Sequence, residues 1–264
     1  MKGQVLVPKY TPRRIGKCIY CGSVDNLSDE HILPRGLGGP WKLLKASCKE
    51  CADITSGFER DVLKEFFMLV RTRLDLPTYH LKKRPDRFTF MVTIDGKEKA
   101  IEVPVSDCPT LFMMPQFEKP GYVRKGAQVK GMLVAAMSLH GKEEDLRRFK
   151  DKYDVESISY TESLRTSFAR VLAKIAYGMV VLQHGLDMVE EAYVLPCILG
   201  KKDDAGQWVG CEDARKSPAL LPREAFFHRI DVLKKKSEVG ARIRLFANYQ
   251  TPEYLVIVGR LKEH

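Results

Sequence analysis

Two Cys-x-x-Cys pairs, Cys18–Cys21 and Cys48–Cys51, stand 26 residues apart near the start of a chain of 264 residues. Four thiolates in two such knuckles supply the tetrahedral shell that a structural zinc ion prefers, and Gly22 after Cys21 suits the sharp turn of a knuckle. A shell of four cysteines leaves that ion no open position for chemistry. Any reaction must therefore use what lies between the knuckles, the stretch Ser28-Asp29-Glu30-His31-Ile32-Leu33-Pro34-Arg35-Gly36-Leu37-Gly38-Gly39. Its Glu30-His31 pair falls at the expected end of a short strand before a Pro/Gly loop. An imidazole placed there can take a proton from water, and the neighbouring carboxylate can hold a hard divalent ion such as magnesium. Metal plus base is the minimal apparatus for hydrolysing a phosphodiester.

The motifs Cys18-x-x-Cys21-Gly22, Glu30-His31-Ile32-Leu33-Pro34, Leu37-Gly38-Gly39 and Cys48-x-x-Cys51 resemble the zinc-braced HNH endonucleases of the ββα-metal fold. The likeness covers about residues 17–62. It implies two strands and a helix around one divalent ion, His31 as the general base that activates water, and Glu30 as a catalytic carboxylate on the metal. Members of that family usually carry His or Asn directly after the last cysteine, where this chain has Ala52, and an Asn shortly before the second knuckle, where it has Leu43 to Ser47. Helix geometry offers substitutes. With a helix starting near Cys51, Thr55, Ser56 and Glu59 share the face of Ala52, and Asp53 lies about a quarter turn away. Glu59 and Asp53 are the two candidate second ligands; both carboxylates also suit the first turns of a helix.

Composition sets the frame for these residues. Hydrophobic residues make up 44% and charged residues 30%, as in a folded globular protein and unlike a fibrous or mostly disordered chain. The formal charge is +10, from 44 Lys/Arg and 34 Asp/Glu. The excess is concentrated in residues 1–87, which hold 17 Lys/Arg against 10 Asp/Glu, and it favours a polyanionic partner. Arg13, Arg14, Arg35, Lys42 and Lys45 surround the candidate site in sequence and are the expected nucleic-acid contacts, alongside Lys2, Lys9 and Lys17 of a basic N-terminal arm. That arm has no apolar signal region, and no apolar run approaches a membrane span, so a cytoplasmic chain without a membrane partner is expected. Thiols stay reduced there, which excludes a disulfide framework for the seven cysteines; Cys108, Cys197 and Cys211 read as buried.

The elements that must position the site are read as α+β: an N-terminal module over residues 1–80 and a larger mixed domain over 88–264. Apolar spacing predicts a helix from Ser56 to Asp75, stopped by Pro77, and then a basic linker from Leu81 to Arg87. Phe88–Ile94 and Ile101–Val105 alternate as strands around an Asp95-Gly96 turn. Helices follow at Lys142–Lys152 and Glu162–Gly185, and strands at Phe226–Leu233, Ala241–Ala247 and Tyr254–Leu261. Arg170 and Lys174, one helical turn apart, are placed either to snorkel or to reach phosphate. His80, His140, His184, His228 and His264 have no motif around them and read as structural or solvated. The function these features predict is a metal-dependent endonuclease acting on DNA, most naturally double-stranded, in restriction, phage defence or mobile-element biology. The alternative is a non-catalytic zinc module that binds nucleic acid or protein. Residues 88–264 would position DNA, form a homodimer or sense a partner.

Overall fold

The computed structural model describes residues 10–78, 83–124, 128–159, 165–212 and 227–263. Lys2, Lys9, His80, Lys82, Glu162, Phe226 and His264 lie outside the described residues. Strands β1 (Arg13–Arg14), β2 (Ser28–His31) and β3 (Lys42–Ser47) form a small sheet in the order β1-β3-β2. β2 runs antiparallel to β3 with His31 opposite Lys42, and β1 runs parallel to it. Helix α1 (Lys49–Asp61) follows at once, so the unit is ββα.

The helix begins seven residues before the expected Ser56 because the second knuckle caps it. Cys48 is extended, and its carbonyl accepts the Ala52 N–H at 2.9 Å, which places Cys51 in the first turn. It also does not run straight to residue 75. One wide turn over Val62–Phe66 interrupts it before α2 (Met68–Arg73), with the Phe67 N–H bonded five residues back to Val62. The extra residue lets Phe67 point inward, where its ring meets Phe168 and Phe246 at 5.9 and 5.4 Å.

Strands β4 (Arg87–Ile94) and β5 (Lys97–Pro104) form the expected hairpin, with positive φ at both Asp95 and Gly96. A second hairpin joins β6 (Leu111–Phe117) to β7 (Val134–Gly141), and the short helix α3 (Gly121–Arg124) lies in its connection. Helix α4 (Glu143–Tyr153) leads to β8 (Ser157–Ser159), which pairs with β4. Phe90, Val92, Val103, Phe149 and Val155 close a small separate core beneath these elements.

Helix α5 (Arg165–His184) is the centre of the molecule. A helix that is apolar all round must be buried all round, and α5 buries 12 of its 20 residues. On one side lies a five-stranded antiparallel sheet built from β9 (Val189–Ala192), β10 (Val209–Cys211), β11 (His228–Lys235), β12 (Glu238–Leu245) and β13 (Tyr254–Leu261). Short helices α6 (Leu195–Ile198) and α7 (Ala205–Trp208) flank it. On the other side lies the ββα unit. A Cβ added at Gly178 would stand 3.1 Å from the side chain of Ile32, so α5 passes directly against the end of β2. Ile19, Ile32, Leu37 and Phe58 share one core with Phe168, Leu172, Ile175 and Val258, and that core crosses the expected boundary between residues 80 and 88. No helix of the described residues is long and apolar enough to cross a membrane.

A buried histidine ties the same two parts together. His228 Nε2 lies 2.8 Å from the Leu37 carbonyl, and its Nδ1 accepts the Phe246 N–H at 3.2 Å. Burial pushes this imidazole down to about 4, against a smaller opposing effect of the Leu37 carbonyl. The unfolded chain takes up the His228 proton near pH 6.5 and the folded chain only near pH 4. Stability is therefore full above pH 6.5 and falls as the pH drops from there toward 4, by about 2 kcal/mol between pH 7 and 5 from this one residue. Denaturant midpoints measured across that window should fall less steeply for His228→Gln; parallel slopes would contradict the assignment.

Candidate active site and metal centre

The first knuckle is shaped by its backbone. The Gly22 N–H bonds to the Cys18 carbonyl and the Cys18 N–H to the Ser23 carbonyl, while the Ile19 N–H joins the knuckle to Ala46 at the end of β3. This brings Cys18 and Cys21 to Cys48 and Cys51, whose Sγ atoms all lie within 4.8 Å of one another. Cys21 and Cys48 are 3.6 Å apart. Sulfurs on a tetrahedral zinc stand about 3.8 Å apart, given zinc–sulfur bonds of about 2.3 Å. The cluster therefore fits a structural metal ion, and three of its four cysteines are buried. Cys108, Cys197 and Cys211 stand apart from it, and each is buried.

The loop after His31 explains its glycines. Gly38, at φ +82°, ends a single turn over Arg35–Leu37, and a Cβ at Gly39 would fall 2.4 Å from Leu33. Successive residues of a strand face opposite ways, and β2 ends on two functional candidates that do so. Glu30 is turned inward and is buried; His31 is turned outward and is half-buried.

Inward, Glu30 meets a residue that the motifs did not reveal. Lys174 of α5 is 2% exposed, and its Nζ lies 2.6 Å from Glu30 Oε1 and 2.5 Å from Glu59 Oε1. Its hydrogen bond goes to the His31 carbonyl. Burial opposes the charged ammonium, but the attraction of Glu30 and Glu59 outweighs it and Lys174 is held protonated. Burial raises Glu59 above the usual carboxylate range, Lys174 works the other way, and Glu30 adds a further upward push. The Tyr20 hydroxyl is buried beside the same carboxylates; burial first, then Glu30 and Glu59, keep it protonated.

Outward, the Nδ1 of His31 is buried without a hydrogen-bond partner among the described residues. Burial lowers this imidazole below its ordinary 6.5, and the nearby Lys174 charge lowers it further, while Glu30 acts in the opposite direction. The neutral ring, able to accept a proton, is thus the favoured form at pH 7.

The other candidates are dispersed. Asp53 is exposed on α1, with both its oxygens 2.5 Å from Lys49 Nζ. Ala52 carries no donor. Lys42 pairs with Asp29 at 3.3 Å, and Lys45 Nζ bonds to the Leu27 carbonyl. Arg14 and Arg35 are exposed, while Arg13, also exposed, sends one N–H to the Leu182 carbonyl at the end of α5. Arg13, Arg14, Lys17, His184 and Asp187 line a shallow cleft there, in which Lys17 and Asp187 pair at 2.7 Å. Neither reading of Arg170 and Lys174 holds. Arg170 lies 4.4 Å over the Phe58 ring and donates to the Ile198 carbonyl, and Lys174 reaches carboxylates rather than solvent or phosphate.

A four-cysteine cluster bracing a ββα unit, with Glu-His at the end of its second strand, is the arrangement on which the comparison turns. Residues 18–67 match the HNH endonuclease family model. The matched HNH segment starts at the first knuckle cysteine, ends at Phe67 and covers less than a fifth of the chain. Neither the curated proteins nor the solved structures include a match to the chain. HNH nucleases use divalent metals, so the fit of the carboxylates to such an ion matters. Glu30 and Glu59 stand together, but the Lys174 ammonium lies on both. Among the described residues, the cysteines are the only group of three or more His, Cys, Asp or Glu within ligating distance of one another. The Glu30–Glu59 pair as it stands does not fit a divalent ion. The signal that could have revealed Lys174 was a single charge inside the apolar run Val171 to Val181.

Proposed function

We propose that the HNH unit hydrolyses phosphodiester bonds in DNA, with zinc as the structural ion of Cys18, Cys21, Cys48 and Cys51 and with His31 as the general base. The observation that carries this is the half-buried imidazole at the end of β2, its Nδ1 without a hydrogen-bond partner among the described residues, within a segment that matches an endonuclease family. His31 takes a proton from water, the water oxygen bonds to phosphorus as the ester P–O bond breaks, and the leaving oxygen takes a proton from solvent. The test is nicking of supercoiled plasmid by the zinc-loaded chain, with magnesium and with manganese. His31→Ala should slow nicking by about 100-fold or more, the usual scale for losing a general base, with melting temperature and zinc content unchanged. Near wild-type cleavage by that variant would refute the role.

Arg13, Arg14 and Arg35 are exposed on the unit and suit the phosphate backbone rather than base edges. Affinity for a random duplex should therefore fall by orders of magnitude between about 50 and 200 mM salt, and Arg14→Ala with Arg35→Ala should flatten that dependence. A salt-insensitive affinity would contradict it.

One observation favours a second reading, a zinc-stabilised module that binds nucleic acid without cutting it. It is the pairing of both Glu30 and Glu59 with Lys174, with no ligand at Ala52. Duplex binding without nicking in either metal would select it.

A further inference from the structure

Lys174 is the one charged residue in the middle of a helix whose neighbours Val171, Leu172, Ala173, Ile175, Ala176 and Tyr177 are all buried. Placing an ammonium there is costly unless the charge is paired and hydrogen-bonded. It is met by ion-pair contacts with Glu30 and Glu59 and by a hydrogen bond to the His31 carbonyl. The three acceptors come from β2 and α1 of the HNH unit, and the donor comes from a helix about a hundred residues beyond the segment that matches the family.

We infer that the Lys174 ammonium is the resident cation of the Glu30–Glu59 pair and occupies the place that such a pair would otherwise offer to a divalent ion. Two carboxylate oxygens, each within 2.6 Å of one nitrogen, already share its positive charge. A magnesium ion would need oxygens at about 2.0–2.1 Å around its own centre, and would sit against a positive charge with nowhere to go in an apolar helix face. The absence of a donor at Ala52 agrees, since a site already closed by a lysine has no use for a further ligand. Asp53, the other nearby carboxylate, is paired on the outer surface with Lys49. Lys174 is on this account a positioning residue. It holds the strand end at both Glu30 and the His31 carbonyl, and so fixes the direction in which the His31 ring leaves β2. The inference rests on the proposed nuclease reading only in that last consequence.

Ion binding tests it without any cleavage. The zinc-loaded full chain is titrated with manganese and followed by electron paramagnetic resonance, and with excess magnesium while the lysine ammonium nitrogens are followed by NMR. The Lys174 signal is assigned by its loss in Lys174→Arg. Wild type should bind no manganese that depends on Glu30 or Glu59, and the Lys174 signal should persist unshifted in magnesium. Lys174→Met should gain one equivalent of manganese that is lost again on adding Glu59→Gln. One manganese bound by wild type and abolished by Glu30→Gln or Glu59→Gln would overturn the inference, as would a Lys174 signal displaced by magnesium. A folded Lys174→Met chain that binds no manganese would overturn it too. If that variant does not fold, the wild-type titrations still decide. A chain that nicks no DNA passes or fails these measurements unchanged, whereas the His31→Ala comparison bears on hydrolysis alone.

Discussion

Replacing Cys18 and Cys48 together by serine should release the metal ion and unfold the ββα unit. Binding of a structural zinc by a small unit of this kind contributes on the order of 10–16 kcal/mol of apparent free energy, more than the whole stability of an ordinary domain. The knuckle side of the unit has little regular structure of its own. β1 and β2 have two and four residues, and the first knuckle is a turn. The effect should also spread. Cys18, Ile19 and Tyr20 belong to the same core as Phe168, Tyr177 and Val258, and the Tyr177 hydroxyl donates to the Ile19 carbonyl at 2.6 Å. Losing the knuckle strips one side of α5 as well. Metal analysis should report one zinc per wild-type chain and none for the double variant, with a melting transition lowered by tens of degrees or lost. Retention of both zinc and the wild-type transition would show that these cysteines hold no ion.

How much of this was legible in the sequence depends on the range of the interaction concerned. The four cysteines announce themselves because each pair closes a local knuckle, and the Asp95-Gly96 hairpin for the same reason, since two residues suffice to set the turn. Glu30 and His31 could be picked out by type. Their opposite orientations follow from the strand period, but what Glu30 faces does not, because Lys174 lies 143 residues from His31 in the chain. Helical spacing found α5 with its ends nearly right, and could not say that the helix is wrapped on both sides. The break at Val62–Phe66 escaped because it serves Phe67, whose partners Phe168 and Phe246 come from distant elements. β6 escaped for another reason. It is buried on both faces, so Leu-Phe-Met-Met-Pro-Gln-Phe shows no alternation, and its Pro115 argues against a central strand.

Truncating Lys174 should destabilise the protein far more than removing the whole charged cluster. Lys174→Ala leaves Glu30 buried and Glu59 nearly so, with no cation between them and an empty channel where the lysine stem ran. Breaking a buried ion pair from one side costs about 3–5 kcal/mol, because the charge left behind has lost both its water and its partner. Two carboxylates left behind put this variant at the upper end. The triple variant Lys174→Met, Glu30→Gln, Glu59→Gln keeps the volume and removes every charge, so its loss should be well under that of Lys174→Ala. Replacing a buried ionic cluster by neutral groups of similar size is often close to neutral. The comparison is made by denaturant unfolding of the zinc-loaded chains at pH 7. It separates a cluster that stabilises by satisfying its own charges from one that adds net stability. If the triple variant were the less stable of the two, the ion cluster itself would be a source of stability. If Lys174→Ala cost nothing, the lysine could not be the buried partner of Glu30 and Glu59 in solution.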